Sequence, residues 1–182
     1  MSARATNRKR RVVAIASGGG HWVQLLRLRP AFDGCDVTYV TVSEAYGADV
    51  LGERLRVIND ATRWNKIGLV KMAAKIGWIM LRTRPDVVVT TGAAPGYFAI
   101  RIGKVLGART IWLDSVANVE QLSLSGQRVG KHADLWLTQW RHLAGGSMDN
   151  WKENNARIDG RDARPTVQSR ASAGPICCGS VL

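Results

Sequence analysis

Residues 12–28 read VVAIASGGGHWVQLLRL, a short apolar run that stops abruptly at Ser17, Gly18, Gly19, Gly20 and His21. Val12 to Ala16 are small or β-branched, the composition of a strand buried on both faces, and Trp22, Leu25, Leu26 and Arg29 then recur at helical spacing. The stretch predicts strand, loop and helix, with the glycines at the carboxyl end of the strand. There the N–H groups that open a helix point outward, and a loop without β-carbons lets an anion come close. Three glycines followed by histidine thus predict an anion site with His21 at its mouth. Neither the Gly-Lys-Ser/Thr of a Walker loop nor the G-x-G-x-x-G spacing of a dinucleotide fold is present. Glu44, near the end of the next strand, keeps a nucleotide-binding reading open.

Outward from this stretch, Pro30 and an Asp33-Gly34 turn lead into DVTYVTV, residues 36–42, a second strand and so a parallel pair. Residues 43–51 form a polar connection with room for a short helix, and Arg54 to Ile58 a brief third strand. Asn65 to Thr83 has helical periodicity, and DVVVTT, residues 86–91, follows the break at Arg84-Pro85. Gly92-Ala93-Ala94-Pro95-Gly96 then reads as a second glycine-rich turn, with a helix from Tyr97 to Leu106 capped by Gly107. Thr110 to Asp114 and Ala133 to Gln139 complete the strands. The alternation predicts an α/β fold, a Rossmann-like, doubly wound, mostly parallel sheet, and such sheets bind ligands beyond the carboxyl ends of their strands. Ser17 to His21, Gly92 to Gly96 and Asp114 to Glu120 are expected to share that edge.

Of 182 residues, 46% are apolar and 22% charged, which fits one globular domain. A net charge of +12 implies an anionic partner: nucleic acid, an acidic membrane surface or a phosphorylated substrate. Cys35, Cys177 and Cys178 are odd in number and two are adjacent, so a reducing, cytosolic compartment is expected. Five basic residues and no acid precede Val12, so residues 1–11 read as a flexible arm. The apolar run behind the arm is too short for a signal peptide, and no run approaches the ~20 residues of a spanning helix. Residues 12–143 form the expected domain, and residues 144–182 a loosely ordered tail rich in Gly, Ser, Asn, Arg and Asp. His132 and His142 lack Cys or acidic neighbours at metal-ligand spacing, so no metal site is expected.

The helix of residues 65–83 has an ordered charge pattern. At 100° per residue Lys71, Lys75 and Arg82 fall within about 40° of one another, beside a face of Ile67, Val70, Ala74, Trp78 and Leu81. Two readings stay open. One is a core helix with a solvated basic edge; the other is a helix resting on anionic lipid, with Trp64 and Trp78 at headgroup depth.

Taken together, Ser17-Gly-Gly-Gly-His21, Arg84-Pro-Asp-Val-Val-Val-Thr-Thr-Gly92, Asp114-Ser-Val-Ala-Asn-Val-Glu-Gln-Leu-Ser-Leu-Ser-Gly126 and Ala133-Asp-Leu-Trp-Leu-Thr-Gln-Trp140 resemble the Alg14 family, over about residues 11–143. Its bacterial relatives are the PssD or CpsF-type exopolysaccharide proteins. The resemblance implies one half of a GT-B fold, the acceptor half of a split, MurG-like glycosyltransferase whose donor half is a separate Alg13-like or PssE-like chain. It further implies a UDP-sugar donor, UDP-GlcNAc or a related hexose, and a polyprenyl-diphosphate-linked sugar acceptor. The setting implied is exopolysaccharide or lipid-linked oligosaccharide biosynthesis at the cytosolic face of the inner membrane, with no cofactor and no nucleic acid. Eukaryotic members begin with a membrane-spanning helix; here peripheral membrane contact is expected through the arm and through Trp64, Lys71, Lys75, Trp78 and Arg82. Gly174-Pro175 and Gly179 to Leu182 fit the family's ending, but Ile176-Cys177-Cys178 stands where aromatics are usual.

Under this resemblance Ser17, Gly18, Gly19, Gly20, Thr91, Gly92 and Gly96 hold the acceptor's diphosphate. His21 takes the proton of the acceptor hydroxyl, since a positioned base is worth ~10²- to 10⁴-fold and histidine titrates near neutral pH. Asp114 either orients His21 or is itself the base, with Glu120 the remaining candidate. Two other classes compete. A basic, Rossmann-like nucleic-acid-binding protein would lose affinity steeply with salt, but no base-stacking array or known motif supports it. A self-sufficient nucleotide-binding enzyme has Glu44 alone in its favour.

Overall fold

The computed structural model describes residues 8–62, 64–130 and 132–144, and the backbone of residues 176–177. Most of the expected arm and tail lies outside these residues. Seven strands form one sheet in the order β3-β2-β1-β4-β5-β6-β7, every neighbouring pair parallel. They are β1 (Arg11–Ile15), β2 (Asp36–Thr41), β3 (Arg54–Val57), β4 (Val87–Thr90), β5 (Arg109–Leu113), β6 (Leu135–Thr138) and β7 (Ile176–Cys177). The helices are α1 (Gly20–Leu26), α2 (Lys66–Thr83), α3 (Ala93–Val105) and α4 (Leu124–Val129), with short 3-10 segments between. The fold is the α/β, doubly wound, Rossmann-like sheet that the sequence predicts.

Alternate residues of β1 feed two cores, which is why the whole run is apolar. Val13 and Ile15 pack with Val40, Val88, Met72, Ile76, Ile79 and Met80 under α2 and α3. Val12 and Ala14 pack on the other face with Val37, Tyr39, Trp22 and Leu25 under α1. The strand order reverses between β1 and β4, since β1 leads to β2 on one side and β4 to β5 on the other. The loops leaving these two strands part there and open a crevice.

Helix α2 starts at an Asn65 cap whose side chain accepts from Gly68 N–H (2.8 Å) and ends on Arg84 in the left-handed region (φ 45°) before Pro85. Met72, Ile76, Ile79 and Met80 are buried, whereas Trp64 (81%), Ile67 (71%) and Trp78 (56%) are exposed together with Val70 and Leu81. The reading of α2 as a core helix with only a basic edge in solvent is therefore corrected: an apolar stripe faces outward beside the lysines. Helix α3 begins at Ala93, not at the expected Tyr97. Pro95 belongs to the first helical turn and not to a preceding loop, since a backbone N–H there has no partner to lose. Gly92 to Gly96 is thus an N-cap and a first turn. Gly107 (φ 79°) follows the C-cap Leu106, as expected.

Candidate functional site

Two loops clasp across the crevice between β1 and β4. His21 Nδ1 donates to the Thr91 carbonyl (2.8 Å), and Thr91 Oγ1 donates to the His21 carbonyl (2.7 Å). A carbonyl only accepts, so Nδ1 carries the proton and Nε2 is the bare nitrogen of the neutral ring. The imidazole lies on Gly92. A β-carbon there would come within 2.9 Å of His21 Cε1 and 3.1 Å of Nδ1. Gly92 also has φ 124° and ψ −161°, a region essentially closed to other residues. The glycine at 92 admits the ring.

The Ser17–Gly20 loop is walled by a residue that sequence reading missed. Tyr46, in the 3-10 segment Glu44–Val50, accepts from Gly19 N–H through its hydroxyl (2.8 Å). Its ring comes so close that a β-carbon on Gly18 would lie 2.8 Å from the hydroxyl oxygen. Tyr46 packs on Trp22 (5.1 Å between ring centroids), whose indole donates to Asp49 (2.8 Å). One donor of the glycine loop is therefore taken. The signal was an aromatic residue in an otherwise polar connection. Ser17 is tied to β2, its carbonyl accepting from Thr41 Oγ1 (3.1 Å).

Asp114, 1% exposed at the end of β5, does not orient His21; the Thr91 carbonyl does. Its carboxylate accepts from Ser115 N–H (2.9 Å), Asn118 Nδ2 (2.8 Å) and Ser123 N–H (3.2 Å). It therefore knots the loop that precedes α4, a task set by tertiary burial and invisible in a bare Asp-Ser. Gly126 leaves room for it, because a β-carbon there would lie 2.5 Å from Oδ2. From outside, Trp140 Nε1 donates to the Val116 carbonyl (2.9 Å) and His142 Nε2 to the Val119 carbonyl (2.6 Å).

Between this loop and α1 lies a cleft of 410 Å³ lined by His21, Ala93, Ser115, Asn118, Gln121 and Ser123, among others. Hydroxyls, amides and one imidazole suit a polyhydroxylated ligand. Glu120 is exposed on the same loop, outside the lining. Gly96 is turned the other way: it lets α3 approach β4, where a β-carbon would meet Thr90 Oγ1 at 2.2 Å. So His21, Thr91, Gly92 and the glycine loop meet, Asp114 holds the neighbouring loop of residues 115–123, and Gly96 and Glu120 stand apart. Glu44 is exposed at the start of its 3-10 segment. Trp64, Lys71, Lys75, Trp78 and Arg82 are exposed on or beside α2, with Arg82 stacked over Trp78 (5.1 Å). Among the described residues no group of His, Cys, Asp or Glu is placed to hold a metal ion, and no helix is long and apolar enough to cross a membrane.

A sequence profile described as "Oligosaccharide biosynthesis protein Alg14 like" matches residues 50–153. No curated protein matches the chain. Solved structures similar to it include MurG of Acinetobacter baumannii, at TM-score 0.58 and 14% identity over 71% of this chain and 41% of that one. A UDP-N-acetylglucosamine 2-epimerase from Rickettsia bellii aligns at TM-score 0.57 and 13% identity, over 74% of this chain and 40% of the other. A glycosyltransferase from Rickettsia africae aligns at TM-score 0.54 and 14% identity, over 72% and 37%. At such identities the likeness is one of fold. The chain spans about two fifths of the length of these structures.

Proposed function

The chain belongs to the Alg14-like family of oligosaccharide biosynthesis proteins, and from that premise we propose that it is the acceptor-binding subunit of a two-chain glycosyltransferase. The observation that carries this reading is the imidazole of His21, fixed by the Thr91 carbonyl at the edge of a polar cleft. An acceptor hydroxyl in the cleft gives its proton to Nε2 while its oxygen attacks the anomeric carbon of a UDP-sugar, and UDP departs. The imidazolium so formed keeps its Nδ1–H on the Thr91 carbonyl, so the ring holds its orientation through the proton transfer. In this reading the glycine loop, with Thr91 and Gly92, holds the diphosphate of a polyprenyl-linked acceptor.

The donor belongs to a separate PssE-like or Alg13-like chain in this reading, and the acceptor's lipid tail places the complex peripherally on the cytosolic face of the inner membrane. The outward stripe of α2, with Lys71, Lys75 and Arg82 along its edge, supports that placement. Exopolysaccharide or lipid-linked oligosaccharide synthesis is the setting this reading implies. The test is to titrate UDP-GlcNAc against the isolated chain and against the chain co-purified with its donor-binding partner. Tight binding and sugar transfer by the complex, with little of either by the chain alone, are expected. Tight donor binding by the isolated chain would sink the two-chain reading.

A further inference from the structure

At the amino ends of the strands, the edge opposite His21, a cleft of 940 Å³ is lined by Arg8, Arg10, Arg11, Arg84 and Arg109 around one carboxylate, Asp86. That carboxylate is already engaged. It accepts from Arg11 N–H (2.9 Å) and pairs with Arg8 (2.7 Å) and Arg11 (3.3 Å). Among the described residues Arg10, Arg84 and Arg109 make no ion pair. Helix α2 ends on Arg84 with φ 45°, a position usually given to glycine, so a guanidinium is kept here at some cost in backbone conformation. The lip of the cleft is apolar: Leu81 and Leu106 line it and both are exposed. Leu81 is also the last member of the outward stripe of α2. On the other flank of the same helix end, a second cleft of 550 Å³ is lined by Arg11, Arg54, Arg56, Arg82 and Trp78.

We propose that the arginine cleft at the amino edge of the sheet binds the phosphate of an anionic phospholipid and seats the carboxyl end of α2 on the membrane. The inference rests on the membrane reading of α2. Guanidinium forks match phosphate oxygens, and those without an ion pair give up only hydration to engage them. A free phosphate gains nothing from an exposed leucine lip. In a phospholipid the phosphate joins the headgroup to the acyl chains, so Leu81 and Leu106 meet the acyl region when the arginines meet the phosphate. The 18 residues of α2 span about 27 Å, with Trp64 before one end and Arg84 at the other. Contact at both ends holds the helix flat on the bilayer.

The test uses the full chain and sedimentation with phosphatidylcholine vesicles, with and without phosphatidylglycerol. R84Q/R109Q, both exposed side chains, should lose about 5-fold in affinity per arginine, about 30-fold together, for the anionic vesicles. R27Q/R128Q removes the same charge at exposed positions away from the cleft and should lose less than about 2-fold, since charges beyond a Debye length are screened. Equal losses in the two pairs would reduce the effect to diffuse charge and overturn the proposal. So would inorganic phosphate that occupies the cleft as tightly as the vesicles do, or a single-stranded oligonucleotide that outcompetes them. If the wild-type chain binds no vesicle, the membrane reading of α2 fails as well; if it binds and R84Q/R109Q binds equally, only the cleft assignment fails.

Discussion

Replacing Gly92 with alanine tests the clasp at the crevice directly. The new methyl would enter at 2.9 Å from His21 Cε1, so the ring must retreat by about 0.5 Å to reach ordinary contact. The Nδ1 bond to Thr91, 2.8 Å in the native clasp, lengthens or breaks, at about 1 kcal/mol. The backbone at φ 124° and ψ −161° adds roughly 1–3 kcal/mol for a residue with a β-carbon. Together these predict a loss of about 2–4 kcal/mol, a drop of order 1–2 M in the urea midpoint for a typical slope. Gly107→Ala is the control: it carries only the left-handed strain of φ 79°, with no atom within 4 Å of its new methyl. Its cost should stay near 1–2 kcal/mol. Long-range nitrogen NMR of His21 should show the Nδ1–H tautomer in the native chain and lose it in Gly92→Ala. In the assembled complex kcat should fall about 10- to 100-fold, the scale set by sub-ångström misplacement of a reacting group. A Gly92→Ala chain with the urea midpoint of the native protein and an unchanged tautomer would refute the reasoning.

His21→Ala in the reconstituted complex should lower kcat by ~10²- to 10⁴-fold and leave the acceptor KM almost unchanged, because the proton moves only in the transition state; a near-native kcat removes His21 from the mechanism. Replacing Lys71, Lys75 and Arg82 with glutamine should weaken binding to anionic vesicles about 5-fold per residue and spare neutral ones, and equal loss on both would indicate misfolding. Asp114→Asn leaves one of three donors without an acceptor, so a loss of about 1–3 kcal/mol and faster amide exchange across residues 115–123 are expected. Asp86 is held below the usual carboxylate range by the Arg11 backbone N–H and then its guanidinium. Burial pulls Asp134 upward, yet bonds from Lys104 and Thr110 leave it lowered overall. Both contributions are complete above the unfolded value near pH 4 and vanish as pH falls through the folded one, so the acid-unfolding curve of D86N/D134N should be flatter below about pH 4 than that of the native chain.

The sheet was legible because β1, β2 and β4 are short runs rich in β-branched residues, and β1 and β4 break off into glycine-containing loops. Where reading failed, a local signal was overruled by packing. Gly92-Ala-Ala-Pro-Gly96 has the composition of a turn, but Gly96 is small because α3 crosses β4 there, and proline costs nothing in a first helical turn. Helix α2 is apolar around much of its circumference, so periodicity could not say which side met the sheet; Met72 and Ile76 did, and Ile67 and Val70 did not. At the site, His21 was readable from its place after three glycines. The roles of Tyr46 and Asp114 were not, since one depends on a contact across 27 positions and the other on complete burial.

The acceptor that aligns the imidazole is a main-chain carbonyl, and this shapes what genetics can see. Any substitution at position 91 other than a change of backbone leaves that oxygen in place. Thr91→Val removes only the reciprocal hydroxyl bond to His21. A scan of point variants would register at the buried position 91 only lost packing or the lost hydroxyl bond, and would conceal the atom that sets the tautomer. Enzymes that lean on an aspartate for this duty can lose it in one mutational step and carry a counter-charge beside the ring. Here the duty is shielded from codon change, and in the proposed reaction the ring would take up its second proton beside a neutral dipole, leaving the positive charge for an anionic ligand to balance.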